Sequence, residues 1–344
     1  MTLDIKIILA KLSAEESLSQ EEARETFLTV MSGAATQSQI GGLLTALYMK
    51  GESVEEIAGA TQAMRQLSTK VDVKLPNLVD TCGTGGSGKN KLFNISTAAA
   101  FVAAAAGVKI AKHGNRAASS KSGSADVLEA GGINIATSPE QISQCIRELG
   151  IGFMFAPAHH SAIKHAMPAR RELGFRTIFN LVAPLTNPAS APNQVMGVFA
   201  REWQEPMVDV LNLLGSNRVM SVHAEGLDEL SVGGPSHIVE LIDGVKRTYT
   251  LVPSDVGLTI HELEPLRAKS IEASLTLINA ALDGTNAAAR DIVAFNAGAS
   301  IYIAGLAADL EQGVRIALQT ITNGLAREKW ADLARLTASL VGKQ

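Results

Sequence analysis

The sequence predicts an α/β protein: a small N-terminal helical domain, then a larger α/β domain with a mixed, mainly parallel central sheet. Three observations predict it. Helix-start signals follow one another through residues 1–72 of a 344-residue chain. Beyond residue 72, short apolar runs alternate with helical stretches, the order expected of βαβ units. Further on, Asp243-Gly244 separates the apolar runs 238–242 and 245–252, a strong two-residue hairpin signal.

Taken in order, Ser19-x-x-Glu22, Thr36-x-x-Gln39 and Ser53-x-x-Glu56 are capping boxes, and Gly33 and Gly51 fall where the preceding helices should stop. Phe27, Leu28, Val30 and Met31, then Ile40, Leu43, Leu44, Leu47 and Tyr48, supply the apolar faces of a bundle of about four helices. The 43–48 face is either a subunit contact or an ordinary core face. Val71-Asp72-Val73-Lys74-Leu75-Pro76 alternates apolar and charged residues and ends in proline, which marks a hinge. The domains are therefore read as 1–72 and 73–344. In the second, strands are expected at 78–81, 108–112, 152–155, 195–199 and 219–223. Helices are expected at 97–106, 124–130, 139–149 and 202–214, with three more from Lys269 onward.

Composition narrows the function classes. Hydrophobic residues make up 46% and charged residues 19%, which excludes extensive disorder. A net charge of −4 argues against a protein that coats nucleic acid. Cys82 and Cys145 are too few for a disulfide framework or a thiolate zinc site. No signal pattern opens the chain, and the small-apolar stretch 98–108 is too short to span a bilayer. A cytoplasmic protein is expected.

The chain is organised around Asp80-Thr81-Cys82-Gly83-Thr84-Gly85-Gly86-Ser87-Gly88, which runs on to Asn94-Ile95-Ser96-Thr97. This reads as strand, glycine-rich turn and helix. Glycines let several N–H groups converge on one concavity, and Asn94, Ser96 and Thr97 stand where side chains cap a helix whose positive end favours an anion. Phosphate or pyrophosphate binding is the chemistry suggested. The turn is not a Walker loop, since Gly88-Lys89-Asn90 lacks the Lys-Ser/Thr pair, and a polar insert separates Gly83, Gly85 and Gly88 from the helix. A second loop, Lys112-His113-Gly114-Asn115-Arg116-Ala117-Ala118-Ser119-Ser120-Lys121-Ser122-Gly123-Ser124, follows the next strand. Its cations and hydroxyls suit a polyanion, and loops at strand C-termini line the ligand crevice of an open α/β sheet. Arg170 and its neighbours can grip a carboxylate or form surface ion pairs. Asp228-Glu229, after the strand ending at His223, suits a hard cation such as Mg²⁺ or simply occupies a turn. His159, His160, His165, His237 and His261 match no metal motif and read as structural.

These motifs, in this order and together with Pro184-Leu185-Thr186-Asn187-Pro188 and Asn296-Ala297-Gly298, closely resemble the anthranilate phosphoribosyltransferase family over nearly the whole chain. The resemblance implies a nucleoside phosphorylase/phosphoribosyltransferase-like fold, with part of 160–190 joining the helical domain. It implies transfer of phosphoribosyl from phosphoribosyl pyrophosphate to the amino group of anthranilate in tryptophan biosynthesis. It also implies Mg²⁺ dependence and a homodimer formed through the helical domain. Position by position, Gly83 lies where both substrates are contacted. Gly86, Ser87, Asn94, Ile95, Ser96 and Thr97 fall in the phosphoribosyl-pyrophosphate loop. Lys112, His113, Gly114, Asn115, Arg116, Ala117, Ala118, Ser119 and Ser120 match the second phosphate loop, with Asn115 also at anthranilate. Ser124 matches a further pyrophosphate contact and Arg170 the anthranilate-binding arginine. Ser96, Asp228 and Glu229 match the metal ligands. No covalent nucleophile is implied, because no nucleophile–His–carboxylate set accompanies these motifs. The rivals are a pyrimidine nucleoside phosphorylase, which the acidic pair and Arg170 disfavour, and a non-catalytic nucleic-acid-binding relative, which should have lost these motifs and gained a basic face.

The chain departs from the family at Ser87, where Asp is usual, in a segment before Asn94 one residue longer and carrying Lys89 and Lys91, and at Ala183, where Gly is usual. Like unit charges at ~4 Å repel by about 4 kcal/mol at an effective dielectric of about 20. Ser87 removes that repulsion toward a polyanion. Ser87→Asp is therefore expected to weaken phosphoribosyl-pyrophosphate binding at low Mg²⁺ and to recover as Mg²⁺ rises. Equal binding across a Mg²⁺ titration would place Ser87 outside the ion's reach.

Overall fold

The computed structural model describes residues 4–85, 92–117 and 122–342. Helices α1 (Ile5–Ser13), α2 (Gln20–Met31), α3 (Gln37–Lys50) and α4 (Val54–Leu67) form the N-terminal bundle. All three capping boxes close: each Ser or Thr hydroxyl accepts the third helical N–H, and the Glu or Gln there accepts the N–H of the cap. Glu56 does more than cap. Its fully buried carboxylate also accepts the Leu18 N–H at 2.9 Å and pairs with Lys50 at 3.0 Å. That supplies the partners a buried charge requires.

The second part opens with β1 (Val79–Gly83), α5 (Ile95–Ala105), β2 (Ile110–Gly114), α6 (Ser124–Ala130), α7 (Pro139–Leu149) and β3 (Ile151–Phe155). The short helices α8 (Ala156–His159), α9 (Met167–Leu173) and α10 (Ile178–Val182) lead to β4 (Asn193–Gly197), α11 (Gln204–Leu213), β5 (Arg218–His223) and the hairpin β6 (Ser236–Ile242) and β7 (Val245–Leu251). Among the described residues these strands make one sheet of order β3-β2-β1-β4-β5-β6-β7, parallel through β5 and antiparallel at β6 and β7. The chain ends in α12 (Ile271–Leu282), α13 (Ala287–Ile303), α14 (Leu310–Thr322) and α15 (Leu325–Ser339). These are four helices where the sequence suggests three. The extra break is made by Asp309, whose side chain caps α14.

Alternation along the strands divides the core. Val195, Met220, Val222 and Ile238 face α5 and α13, while Met196, Val198, Val219, Val239 and Leu241 face α11 and the bundle. The bundle core also takes Ala166, Ala169, Ile178, Phe179, Leu181, Val182 and Leu185, with Phe179 edge-on to Phe27 at 5.6 Å. β4 begins two residues earlier than the apolar run at 195–199 suggests. Asn193 and Gln194 extend it because Gln194 finds a buried partner, donating to the Pro184 carbonyl at 2.6 Å. The segment read as a hinge is itself packed: Val71 and Val73 join Ile142, Ile146 and Met154, and the Val71 N–H donates to Pro188 at 3.2 Å. Of the 43–48 face, Leu43, Leu44 and Leu47 are core, whereas Tyr48 and the adjacent Met49 are exposed.

Candidate active site

β1 and β4 lie side by side in register from Val79↔Asn193 to Gly83↔Gly197, yet the chain leaves them toward opposite edges of the sheet. Such a switch point opens a crevice beyond the strand C-termini. The loop after β5 enters it, and Asp228 Oδ2 accepts the Gly85 N–H at 2.9 Å. Only glycine permits this approach. A Cβ on Gly83 would stand 2.5 Å from Asp228 Oδ2, and one on Gly197 would collide with the Asp228 backbone. Gly85 itself has φ +70°.

Behind Asp228 a small cavity is lined by Thr81, Ser96, Glu229, Asn296 and Ser300. The Thr81 hydroxyl is buried there without a hydrogen-bond partner. Lys112, buried in the middle of β2, donates to the Thr81 carbonyl at 2.5 Å and to Ser96 Oγ at 3.4 Å. Burial pushes its pKa down, against the opposing pull of Asp80 and Glu229. Two carboxylates, the Ser96 hydroxyl and an orphaned threonine hydroxyl form a hard oxygen-donor set, which fits Mg²⁺.

The feet of the loops after β1 and β2 are tied together by residues the motifs did not single out. Asn94 makes no capping bond to α5. Its Oδ1 instead accepts from Ser122 Oγ at 2.9 Å and from Ser274 Oγ of α12 at 2.7 Å. Asp126 Oδ2 accepts from both Gly123 N at 2.8 Å and Ala117 N at 3.0 Å, closing the second loop at its base. The Gly-x-x-Asp spacing signalled that cap; nothing in the sequence signalled Ser274. Arg116 is engaged by Asp126 and Glu129, and Ser124 Oγ donates to the Asn115 carbonyl at 3.3 Å. Thr97 and Ile95 are fully buried on α5, and Gly114 packs against Ser124. Gly86, Ser87, Ala118, Ser119 and Ser120 lie outside the described residues.

Beneath the crevice lies a buried polar layer. His113 Nδ1 meets Asp80 Oδ2 at 2.6 Å, and its Nε2 meets the Ala183 carbonyl at 3.1 Å. With an acceptor at each nitrogen, the ring is held as imidazolium. Burial alone would lower its pKa, but Asp80 and the Ala183 carbonyl raise it; burial alone would raise Asp80, but His113 and Asn187 hold it low. Cys82 sits in the same layer, and ligand atoms of Asp80, Cys82 and His113 lie within 4.8 Å of one another. Burial drives the Cys82 thiol well up, and Gln194 donates to its sulfur at 2.9 Å, so the trio is an Asp–His ion pair beside a neutral thiol. Ala183, the family departure, thus serves through its carbonyl.

Arg170 stands apart from the loops, its guanidinium 4.9 Å from the Phe179 ring centre in the bundle core. Nearer the crevice, Arg176 stacks on Phe199 at 4.1 Å, and the Phe199 N–H donates to Thr84 Oγ1 at 2.9 Å, joining the α9–α10 connection to the glycine turn. His159 and His261 have structural partners, Thr69 O and Asp291, and burial lowers His160 to about 4, leaving it neutral.

A glycine turn and an acidic loop meeting at the switch point, with a helical bundle on one face of the sheet, define a class of glycosyl-transferring enzyme. Residues 75–327 match the glycosyl transferase family a/b domain, and residues 6–68 match the helical bundle domain of that family. The anthranilate phosphoribosyltransferase of Hahella chejuensis is 54% identical over 341 residues, covering 98% of each chain. The structure of that enzyme from Thermus thermophilus superposes with a TM-score of 0.91 at 42% identity, covering 98% of this chain and 100% of the other. The Saccharomyces cerevisiae enzyme in complex with PRPP and Mg gives a TM-score of 0.87 at 26% identity, with 98% of each chain covered. The chain belongs to the anthranilate phosphoribosyltransferase family.

The His113–Asp80 pair makes a pH prediction. Folding raises the imidazole pKa, so above pH ~6.5 the native state holds more protons than the unfolded one and stability falls with rising pH until the folded pKa is passed. His113→Gln should abolish that decline and, by stranding Asp80, lower stability at pH 6 by about 3–5 kcal/mol. Urea unfolding of both proteins from pH 6 to 9 checks it; parallel pH profiles would refute it.

Proposed function

We propose that this chain transfers the phosphoribosyl group of 5-phosphoribosyl 1-pyrophosphate to the amino group of anthranilate, giving N-(5-phosphoribosyl)anthranilate and pyrophosphate in tryptophan biosynthesis, and that the crevice beyond β1, β2 and β4 is where it does so. The observation that carries the site assignment is the Asp228 carboxylate seated on the glycine turn at Gly83 and Gly85.

The aromatic amine is neutral near pH 7, so its lone pair needs no strong base. The bond from ribose C1 to the pyrophosphate oxygen breaks, a bond from C1 to nitrogen forms, and the amine gives up a proton. The difficulty lies in the charge that builds on the leaving group and on an oxocarbenium-like ribose. Gly83, Gly86, Ser87, Asn94, Ile95, Ser96 and Thr97 bind the pyrophosphate end. α5 has no side-chain cap; its Ile95 N–H is taken by the Phe93 carbonyl at 2.8 Å, so an anion at the positive end of the helix would be met by the N–H groups that follow, at Ser96 and Thr97. Lys112 through Ser120, with Ser124, are the second set of residues that bind the phosphoribosyl pyrophosphate; Lys112 supplies charge, and His113 shapes the floor through Asp80 and Ala183. Asn115 and Arg170 hold anthranilate, Arg170 through the carboxylate. Ser96, Asp228 and Glu229 would hold Mg²⁺, which when bound neutralises charge on the departing pyrophosphate.

Residues 1–72 with part of 160–190 act as the helical domain. Exposed Ile7, Tyr48, Met49 and Phe175, with the Tyr48 and Phe175 ring centres 4.7 Å apart, support a homodimer through that domain. Two buried free cysteines accord with a cytoplasmic location, and none of the described helices is long and apolar enough to cross a membrane.

The test is loss of anthranilate fluorescence when the protein is mixed with anthranilate, phosphoribosyl pyrophosphate and Mg²⁺; no loss overturns the reading. Arg170→Ala removes a charge-assisted contact of roughly 1.5–3 kcal/mol. It is expected to raise the anthranilate KM by about tenfold or more, with the phosphoribosyl-pyrophosphate KM much less changed. Equal weakening for both substrates would assign Arg170 a structural role.

A further inference from the structure

We propose that Asn296 of α13 is the positioning residue that sets the acidic pair for its metal ion. The inference rests on the reading of Asp228 and Glu229 given above and extends it to a residue whose amide is spent on the protein backbone.

Asn296 is 6% exposed and uses both ends of its amide on a single residue of the acidic loop. Its Oδ1 accepts the Leu230 N–H at 3.0 Å, and its Nδ2 donates to the Leu230 carbonyl at 2.9 Å and to the Ile292 carbonyl of its own helix at 2.9 Å. Leu230 is wholly buried and is covalently next to Glu229. The pairing therefore fixes the peptide on which Glu229 stands, and through it the approach of Asp228 to Gly83 and Gly85. Without Asn296 both polar groups of Leu230 would be buried unpaired, so the loop would have to shift to find other partners.

The geometry favours positioning over mere support. Asn296 lines the same cavity as Thr81, Ser96, Asp228 and Glu229, so a shift of the loop is felt where the oxygen donors converge. Its helix is also a rigid platform. Residues 291–301 of α13 are buried throughout, and Gly298 lets α14 pack against it so closely that a Cβ there would lie 2.6 Å from the Val314 nitrogen. A loop held by two bonds to an immovable helix keeps its carboxylates in one place before any ligand arrives. Outer-sphere partners of this kind orient a metal's direct ligands.

The experiment is Mn²⁺ binding to the full-length protein without substrates, followed by water-proton relaxation and accompanied by thermal melting. The variants are Asp228→Asn/Glu229→Gln, Asn296→Ala and Val293→Ala, the last removing fully buried core from the same helix. Wild type should bind, and the acidic double variant should not. Asn296→Ala should weaken binding about 10- to 100-fold, as loss of an outer-sphere partner does. Val293→Ala should lower the melting temperature and leave Mn²⁺ affinity unchanged. Asn296→Ser, which keeps a donor and admits water, gives the same comparison in a chain less disturbed by a cavity and should fall between Asn296→Ala and wild type. Wild-type affinity in folded Asn296 variants, or equal loss in Val293→Ala, would overturn the proposal while leaving the acidic pair in place. Undiminished binding by the acidic double variant would instead overturn the metal assignment itself.

Discussion

The arrangement depends on one close approach: a carboxylate resting against a peptide that has no side chain to exclude it. Asp228 meets the N–H of Gly85 and lies over Gly83 and Gly197, the residues that end two adjacent parallel strands. This contact brings loops from β1, β4 and β5 together at the switch point. A side chain at Gly197 would separate them, because its Cβ would meet the Asp228 backbone and no rotamer could relieve it, whereas one at Gly83 would press on the Asp228 carboxylate and turn it away from the glycine turn. The crevice is thus shaped by missing atoms as much as by present ones.

A second constraint lies below. Asp80, His113, Cys82 and Gln194 form a polar layer between the sheet and the segment joining α10 to β4. Gln194 and His113 bind the consecutive carbonyls of Pro184 and Ala183. The turn that returns the chain from the bundle is therefore anchored to β2 and β4, at the edge of the crevice. Above it, Arg176 on Phe199 and Phe199 on Thr84 make a further bridge from the bundle side to the glycine turn. The bundle side and the glycine-turn side of the crevice are tied through side chains at two levels, so neither half sets its geometry alone.

The same economy governs the loop bases. Ser122 and Ser274 converge on one amide oxygen of Asn94, and Asp126 spans the base of the second loop. Residues that a motif comparison ranks as ligand contacts are here partly internal. Asn94 holds loop to helix, and Arg116 holds loop to α6 through Asp126 and Glu129. The absence of a side-chain cap on α5 is the counterpart of that choice, since the Asn94 amide is spent on Ser122 and Ser274.

How much of this was legible in the chain follows from the range of each interaction. Capping boxes act over three residues, so the bundle helices could be read directly, as could the hairpin at Asp243-Gly244 and the strand–turn–helix order around Gly83. Motif order was enough to indicate the family. The start of β4 was not legible, because polar Asn193 and Gln194 look unlike a strand until the Pro184 carbonyl stands beside them. Nor could the capping expectation for Asn94 survive Ser274, 180 residues away and without a local signature. Asp80 and His113 read only as a strand residue and a loop residue; their charge states are set by burial together, which is a property of the folded sheet. The sequence by itself determined the elements, their order and the chemistry they carry. Only the tertiary structure decided which polar groups face a ligand and which are used up on one another, because that choice depends on contacts between residues far apart in the chain.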